Sequence, residues 1–188
     1  MLPSHCIAFA GTDLLAKGEL VDVVRAVKTA LDGRCERSIA LLDAATSRPV
    51  EINFTGTEEE VMQRIPRAPL RSAGRPKLGV VPREVTLLPR HWEWLSAQPG
   101  GASVALRKLV ELASRDARAA DTMREARDAA YRFMHELMGD AAGFEEASRA
   151  LFAGDGERFR RLVAEWPEGV RRHLLELAEP AFGSAAEA

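Results

Sequence analysis

REVTLLPRHWEWLSAQPGGASVALRKLVELA, residues 83–113, is the stretch whose reading decides the fold. It opens with Val85, Thr86, Leu87 and Leu88, a run of strand composition. Pro89 follows as a natural first residue of a helix, since the N–H it lacks would go unpaired there anyway. That helix has to stop at Pro99-Gly100-Gly101. Ser103 is then placed to cap a second helix, on which Ala105, Leu106, Leu109, Val110 and Ala113 form one apolar stripe. A strand and two helices of this size cannot enclose a core alone, so the pattern predicts a homodimer. Its interface would be built from Val85, Leu87, Leu88, Trp92, Leu95, Leu106, Leu109 and Val110. Trp92 and Trp94 lie about 200° apart on a helix, so one is expected in the core and the other toward a partner.

Upstream the charge changes. Residues 64–91 carry seven basic side chains against one acid, a net of about +6, while the rest of the chain carries about −8. The same window holds Pro66, Pro69, Pro76, Pro82 and Pro89, whose missing N–H groups forbid helix, so residues 66–82 read as a basic, extended arm. Concentrated positive charge points to a polyanion, and DNA is the partner expected. Arg71, Arg75, Lys77, Arg83, Thr86 and Arg90 would contact it, and the helix N-terminus at Ser103 would hold a further phosphate. The competing reading is an arm clamped onto the acidic surface of its own or another subunit.

Residues 1–65 read as a small α/β module. His5–Ala10 is a short strand, Gly11-Thr12-Asp13 a turn, and Val21, Val24, Val27 and Leu31 the face of a helix ending at Gly33. Residues 38–42 and 50–54 are expected to form a hairpin. Thr57 and Glu60 form a capping box that starts a short helix. Downstream, the helix from Ser103 either continues to Met138 or breaks near residues 115–120. Tyr131, Met134, Leu137 and Met138 share one face of it, and Gly139 is expected to close it in the left-handed conformation. Three shorter helices follow over residues 144–152, 157–166 and 169–177, and residues 183–188 are expected to fray.

The motifs of residues 83–113 resemble those of the ribbon-helix-helix proteins, of the Arc and methionine repressor kind. The resemblance implies that the strands of two chains pair into a ribbon that enters the major groove. The sequence departs from that pattern where Leu87 and Leu88 adjoin, because either register places a leucine where a hydrogen-bonding side chain belongs. Gly74-Arg75-Pro76-Lys77 resembles the core of the AT-hooks, which lie in the narrow minor groove. A longer resemblance links the block GRPKLGVVPREVTLLPRHWEWLSAQPGGASVALRKLV, the AFAG start, AAYRFM, GFEEASRALFAGD and Trp166-Pro167 to a bacterial domain-of-unknown-function family. It implies a bacterial, cytoplasmic protein and brings no activity with it.

Nothing in the sequence has the spacing of a catalytic or metal site. HExxH, paired CxxC, GxSxG, GxxxxGK[ST] and GxGxxG are all absent, and His5, His91, His135 and His173 stand isolated. Cys6 and Cys35, the two cysteines, suit a reducing compartment. No apolar run approaches the roughly 20 residues a membrane span needs, and the N-terminus has no secretion signal. The expectation is therefore an α+β protein with an N-terminal α/β module (1–65), a basic proline-rich arm (66–82), and a ribbon-helix-helix-like unit leading into a C-terminal helical bundle (83–188). Its expected function is homodimeric DNA binding, as a transcriptional regulator whose N-terminal module senses an effector. It is expected to be no enzyme and to use no cofactor or metal. A protein-binding homodimer, and behind it a small-molecule enzyme, are the alternatives.

Overall fold

The computed structural model describes residues 2–65, 79 and 81–183. It is an α+β fold whose chain divides into two compact units, Met1–Pro66 with Ala120–Ala188, and Arg67–Ala119.

The first unit is organised by its central strand. β1 (His5–Ala10) pairs antiparallel with β2 (Asp13–Glu19) on one side and β3 (Ile39–Asp43) on the other. Since side chains alternate along a strand, β1 serves two cores. Cys6 and Ala8 face a cluster with Leu20, Val23, Val24 and Val27 of α1 (Leu20–Asp32) and Val61 of α2 (Glu58–Arg64). Ile7 and Phe9 face the larger cluster, built by the C-terminal half of α4 (Gly101–Met138), α5 (Phe144–Ala153), α6 (Gly156–Leu162), α7 (Glu168–Ala178) and a closing 3-10 turn (Glu179–Phe182). Both faces of the sheet are thus covered, and β1 is buried from Cys6 to Ala10.

Several expectations hold locally. Thr57 accepts from the Glu60 N–H while the Glu60 side chain accepts from the Thr57 N–H, closing the capping box of α2. Met134 and Met138 are buried, with Tyr131 and Leu137 packed beside them. The three short C-terminal helices fall close to their expected ranges.

Others are corrected. Asp13–Glu19 is a strand, not just the end of a turn, because Gly11 at φ 60 reverses the chain tightly enough for pairing to begin at once. The buried face of α1 is Leu20, Val23, Val24 and Val27, whereas Val21 and Leu31 are exposed. Residues 50–54 form no strand. Pro49 makes a single bridge to Leu42 and lacks an N–H to extend it, although Ile52 and Phe54 do alternate inward against the core. α4 runs unbroken from Gly101, so Ser103 lies inside its first turn rather than capping it. Gly139 is not left-handed; the positive φ falls at Gly143, which precedes α5. The frayed tail expected over residues 183–188 lies, after Gly183, outside the described residues.

In the second unit, α3 (Pro89–Ser96) begins with Pro89 in its first turn, as expected. Residues 83–88 adopt no strand within the chain, which differs from the strand expected there. A strand needs a neighbour to hydrogen-bond to, and among the described residues 81–87 take part in no backbone hydrogen bond.

Candidate dimerisation and nucleic-acid surface

The second unit buries little of its apolar content. Between residues 81 and 119, only Leu95 and Ala105 are buried. Among the described residues eleven large hydrophobic side chains are exposed, and eight of them fall between residues 81 and 112: Val81, Val85, Leu88, Trp92, Trp94, Leu109, Val110 and Leu112. That is a concentration of exposed apolar side chains, where ordinary surface exposure is scattered.

Of the expected interface residues, Val85, Leu88, Trp92, Leu109 and Val110 are exposed, Leu87 and Leu106 are half-buried, and Leu95 is buried. Neither tryptophan is in a core, contrary to the expectation that one would be: Trp92 is 39% exposed and Trp94 53%. α3 is only two turns long, so two rings 200° apart cannot both find cover within it, and Leu95 takes the inward position. Val81, Trp94 and Leu112 belong to the exposed set but not to the expected interface. Leu112 could have been found from its spacing, three residues beyond Leu109 on the same helix.

The expected DNA contacts divide in two. Arg71, Arg75 and Lys77 lie outside the described residues. Arg83, Thr86 and Arg90 are exposed and have no ion-pair partner among the described residues. Ser103 is exposed too, and its carbonyl accepts from Arg107 Nε at 3.1 Å.

Among the described residues, the titratable groups with a shifted pKa all lie in the first unit. His173, 4% exposed, is the one sequence reasoning missed. The spacing Val170, His173, Leu174, Leu177 places it on the apolar face of α7, and that pattern could have revealed it. Its ring meets Phe133 edge-on at 4.9 Å, Nδ1 faces Glu176 Oε2 at 3.5 Å, and Nε2 has no partner. Burial pushes its pKa down, helped by Lys17, while Glu176 opposes the shift. Glu176 is itself held low by Lys17, its ion-pair partner. Burial raises the Cys6 thiol to about 11, with Asp43 adding to the shift, so this cysteine is a core side chain and no nucleophile. The Arg37 guanidinium is raised by Asp13. Among the described residues no group of three metal-ligating side chains converges, and no helix is long and apolar enough to cross a membrane.

A family model described as an uncharacterized protein conserved in bacteria (DUF2239) matches residues 5–178. No curated protein and no solved structure matches the chain.

Proposed function

The chain belongs to the DUF2239 family, conserved in bacteria, and we propose that it is a homodimeric DNA-binding protein whose second unit is completed by a second copy. The observation that carries this reading is the convergence of two features on one stretch. Residues 64–91 concentrate a charge of about +6, and residues 81–112 hold eight of the eleven exposed large hydrophobics among the described residues. Apolar groups that the chain leaves in water gain by meeting their own copies across a two-fold axis, at about 25 cal/mol for each Å² covered. In that arrangement residues 83–88 of the two chains pair, satisfying backbone groups that a single chain leaves open. This is the ribbon-helix-helix-like element. Arg83, which opens the pairing segment, and Arg90, just past its end, then meet phosphates or a minor groove together with Arg71, Arg75 and Lys77 of the arm. Leu87 and Leu88 favour dimer packing over base reading, so affinity on this account comes chiefly from the phosphate backbone.

Fluorescence anisotropy with labelled duplexes over a salt series tests the DNA reading. Binding should weaken steeply with salt. Arg75→Ala with Lys77→Ala should lower the slope of log K against log salt by about 0.9 for each phosphate no longer neutralised. Negligible affinity at low salt, or an unchanged slope in the double variant, would remove DNA as the arm's partner. The arm would then be assigned to an acidic protein surface, which the net of about −8 on the rest of the chain favours.

A further inference from the structure

In the first unit, the loop that follows β3 is held by its own hydrogen bonds and lines a cleft. Asp43 Oδ1 accepts from the N–H groups of Ala45 at 2.8 Å and Thr46 at 3.0 Å, and the Ser47 N–H returns to the Asp43 carbonyl at 2.9 Å. The turn is tight enough to force Ser47 to φ 55, a left-handed conformation that side chains rarely adopt outside glycine. Ser47 is buried with its hydroxyl unpartnered, and Thr46 Oγ1 is buried and unpartnered as well.

Two arginines converge on this loop. Arg132, on α4, donates from Nε to the Thr46 carbonyl at 2.9 Å, which anchors its guanidinium against the loop. Both line a cleft of about 520 Å³ between the loop, α4 and the end of α7, and Thr46 lines it with them. Neither arginine is ion-paired among the described residues, although Glu125, Asp128 and Glu176 line the same cleft. Glu176 is engaged by Lys17, while Glu125 and Asp128 have no ion-pair partner among the described residues. The cleft is therefore lined by two cations and two carboxylates that have no ion-pair partner among the described residues.

We propose that this cleft binds a small zwitterion, with its oxyanion held by Arg48 and Arg132 and its ammonium group by Glu125 and Asp128. A guanidinium suits either a carboxylate or a phosphate through paired N–H bonds, so the oxyanion has two chemical sources. The inference stands on the first unit alone and is independent of DNA binding.

Titration of the full-length protein by NMR tests it, using L-alanine and O-phosphoethanolamine as zwitterions, and acetate, inorganic phosphate and ethylamine as single-charge probes. At least one zwitterion should bind at least about tenfold more tightly than every single-charge probe, and which one does so identifies the oxyanion. Arg48→Gln should weaken that binding by about tenfold or more, the loss of one charge-assisted hydrogen bond. Its melting temperature should not change, because Arg48 is exposed and has no side-chain partner to lose among the described residues. Arg132→Lys, which keeps the charge but not the planar fork, should weaken binding too. The proposal is overturned if no probe binds, if the zwitterions bind no better than their single-charge counterparts, or if Arg48→Gln binds like wild type.

Discussion

Replacing His173 by leucine should leave stability nearly unchanged at neutral pH and raise it in mild acid. The ring is 4% exposed, packed edge-on against Phe133 at 4.9 Å. A carboxylate only accepts, so the ring proton belongs on Nδ1, facing Glu176, and Nε2 is a bare lone pair without a donor. Leucine is of similar size, continues the apolar stripe of α7, and removes that lone pair. It gives up the ring–ring contact and a long hydrogen bond, so at pH ~7.5 the two effects should cancel to within about 1 kcal/mol.

The pH dependence follows from the direction of the shift. His173 has a folded-state pKa below its ordinary 6.5, because burial and Lys17 disfavour the charged ring. Below 6.5 the unfolded chain takes up a proton that the folded protein refuses, so this contribution to stability is present above 6.5 and is lost as pH falls. The loss approaches about 1.4 kcal/mol per pH unit for one proton. By pH ~5.5 the wild type should therefore have lost stability relative to His173→Leu, by no more than about 1.4 kcal/mol. Urea unfolding of both proteins at pH ~7.5, ~6.5 and ~5.5 measures the difference. Parallel stability profiles over that range would refute the reasoning. Lys17→Met supplies a control: it frees Glu176 to act on His173, so the histidine pKa measured by NMR should rise.

Phe133→Ala, at a fully buried ring that also meets Phe9 at 5.5 Å, should cost about 3–5 kcal/mol in thermal or urea unfolding. Gly56→Ala should cost roughly 1–2 kcal/mol, since φ is 98 there and the added methyl would collide with the Glu60 carboxylate that closes the α2 capping box. Thr57→Ala, which removes the other half of that box, should cost about 1 kcal/mol, and the two losses should not add, because both break one structure.

What was legible in the sequence was local. The capping box needs only Thr57 and Glu60, and the Pro89 helix start needs only the proline, so both could be read from spacing. The helices of the C-terminal bundle were likewise punctuated by Gly154, Gly156 and Pro167. Pairing was harder to read. β2 lacks the alternation of a half-buried strand because its partner β1 is buried on both faces and supplies most of the apolar side chains. Residues 50–54 do alternate, yet form no ladder beyond the bridge at Pro49, a donor constraint that periodicity does not register. The cleft lined by Arg48 and Arg132 was out of reach, since the two are far apart in sequence and come to one cleft only through the fold. His173 was within reach, because its spacing from Val170, Leu174 and Leu177 already puts it on the apolar face of α7. For the second unit, a sequence pattern indicated a core, and the structure shows that a single chain encloses little of one.

The sharpest test of that last point is the mass of the full-length protein in solution, measured by sedimentation equilibrium across a concentration series together with Leu109→Glu. Leu109 is 45% exposed in the single chain, so a charge there should leave the fold of one copy intact and disturb only what covers it. A homodimer has twice the 20.6 kDa chain mass, and that is the mass expected for the wild type, shifting toward a single chain in Leu109→Glu. A wild-type mass of one chain throughout, or a dimer indifferent to Leu109→Glu, would contradict it.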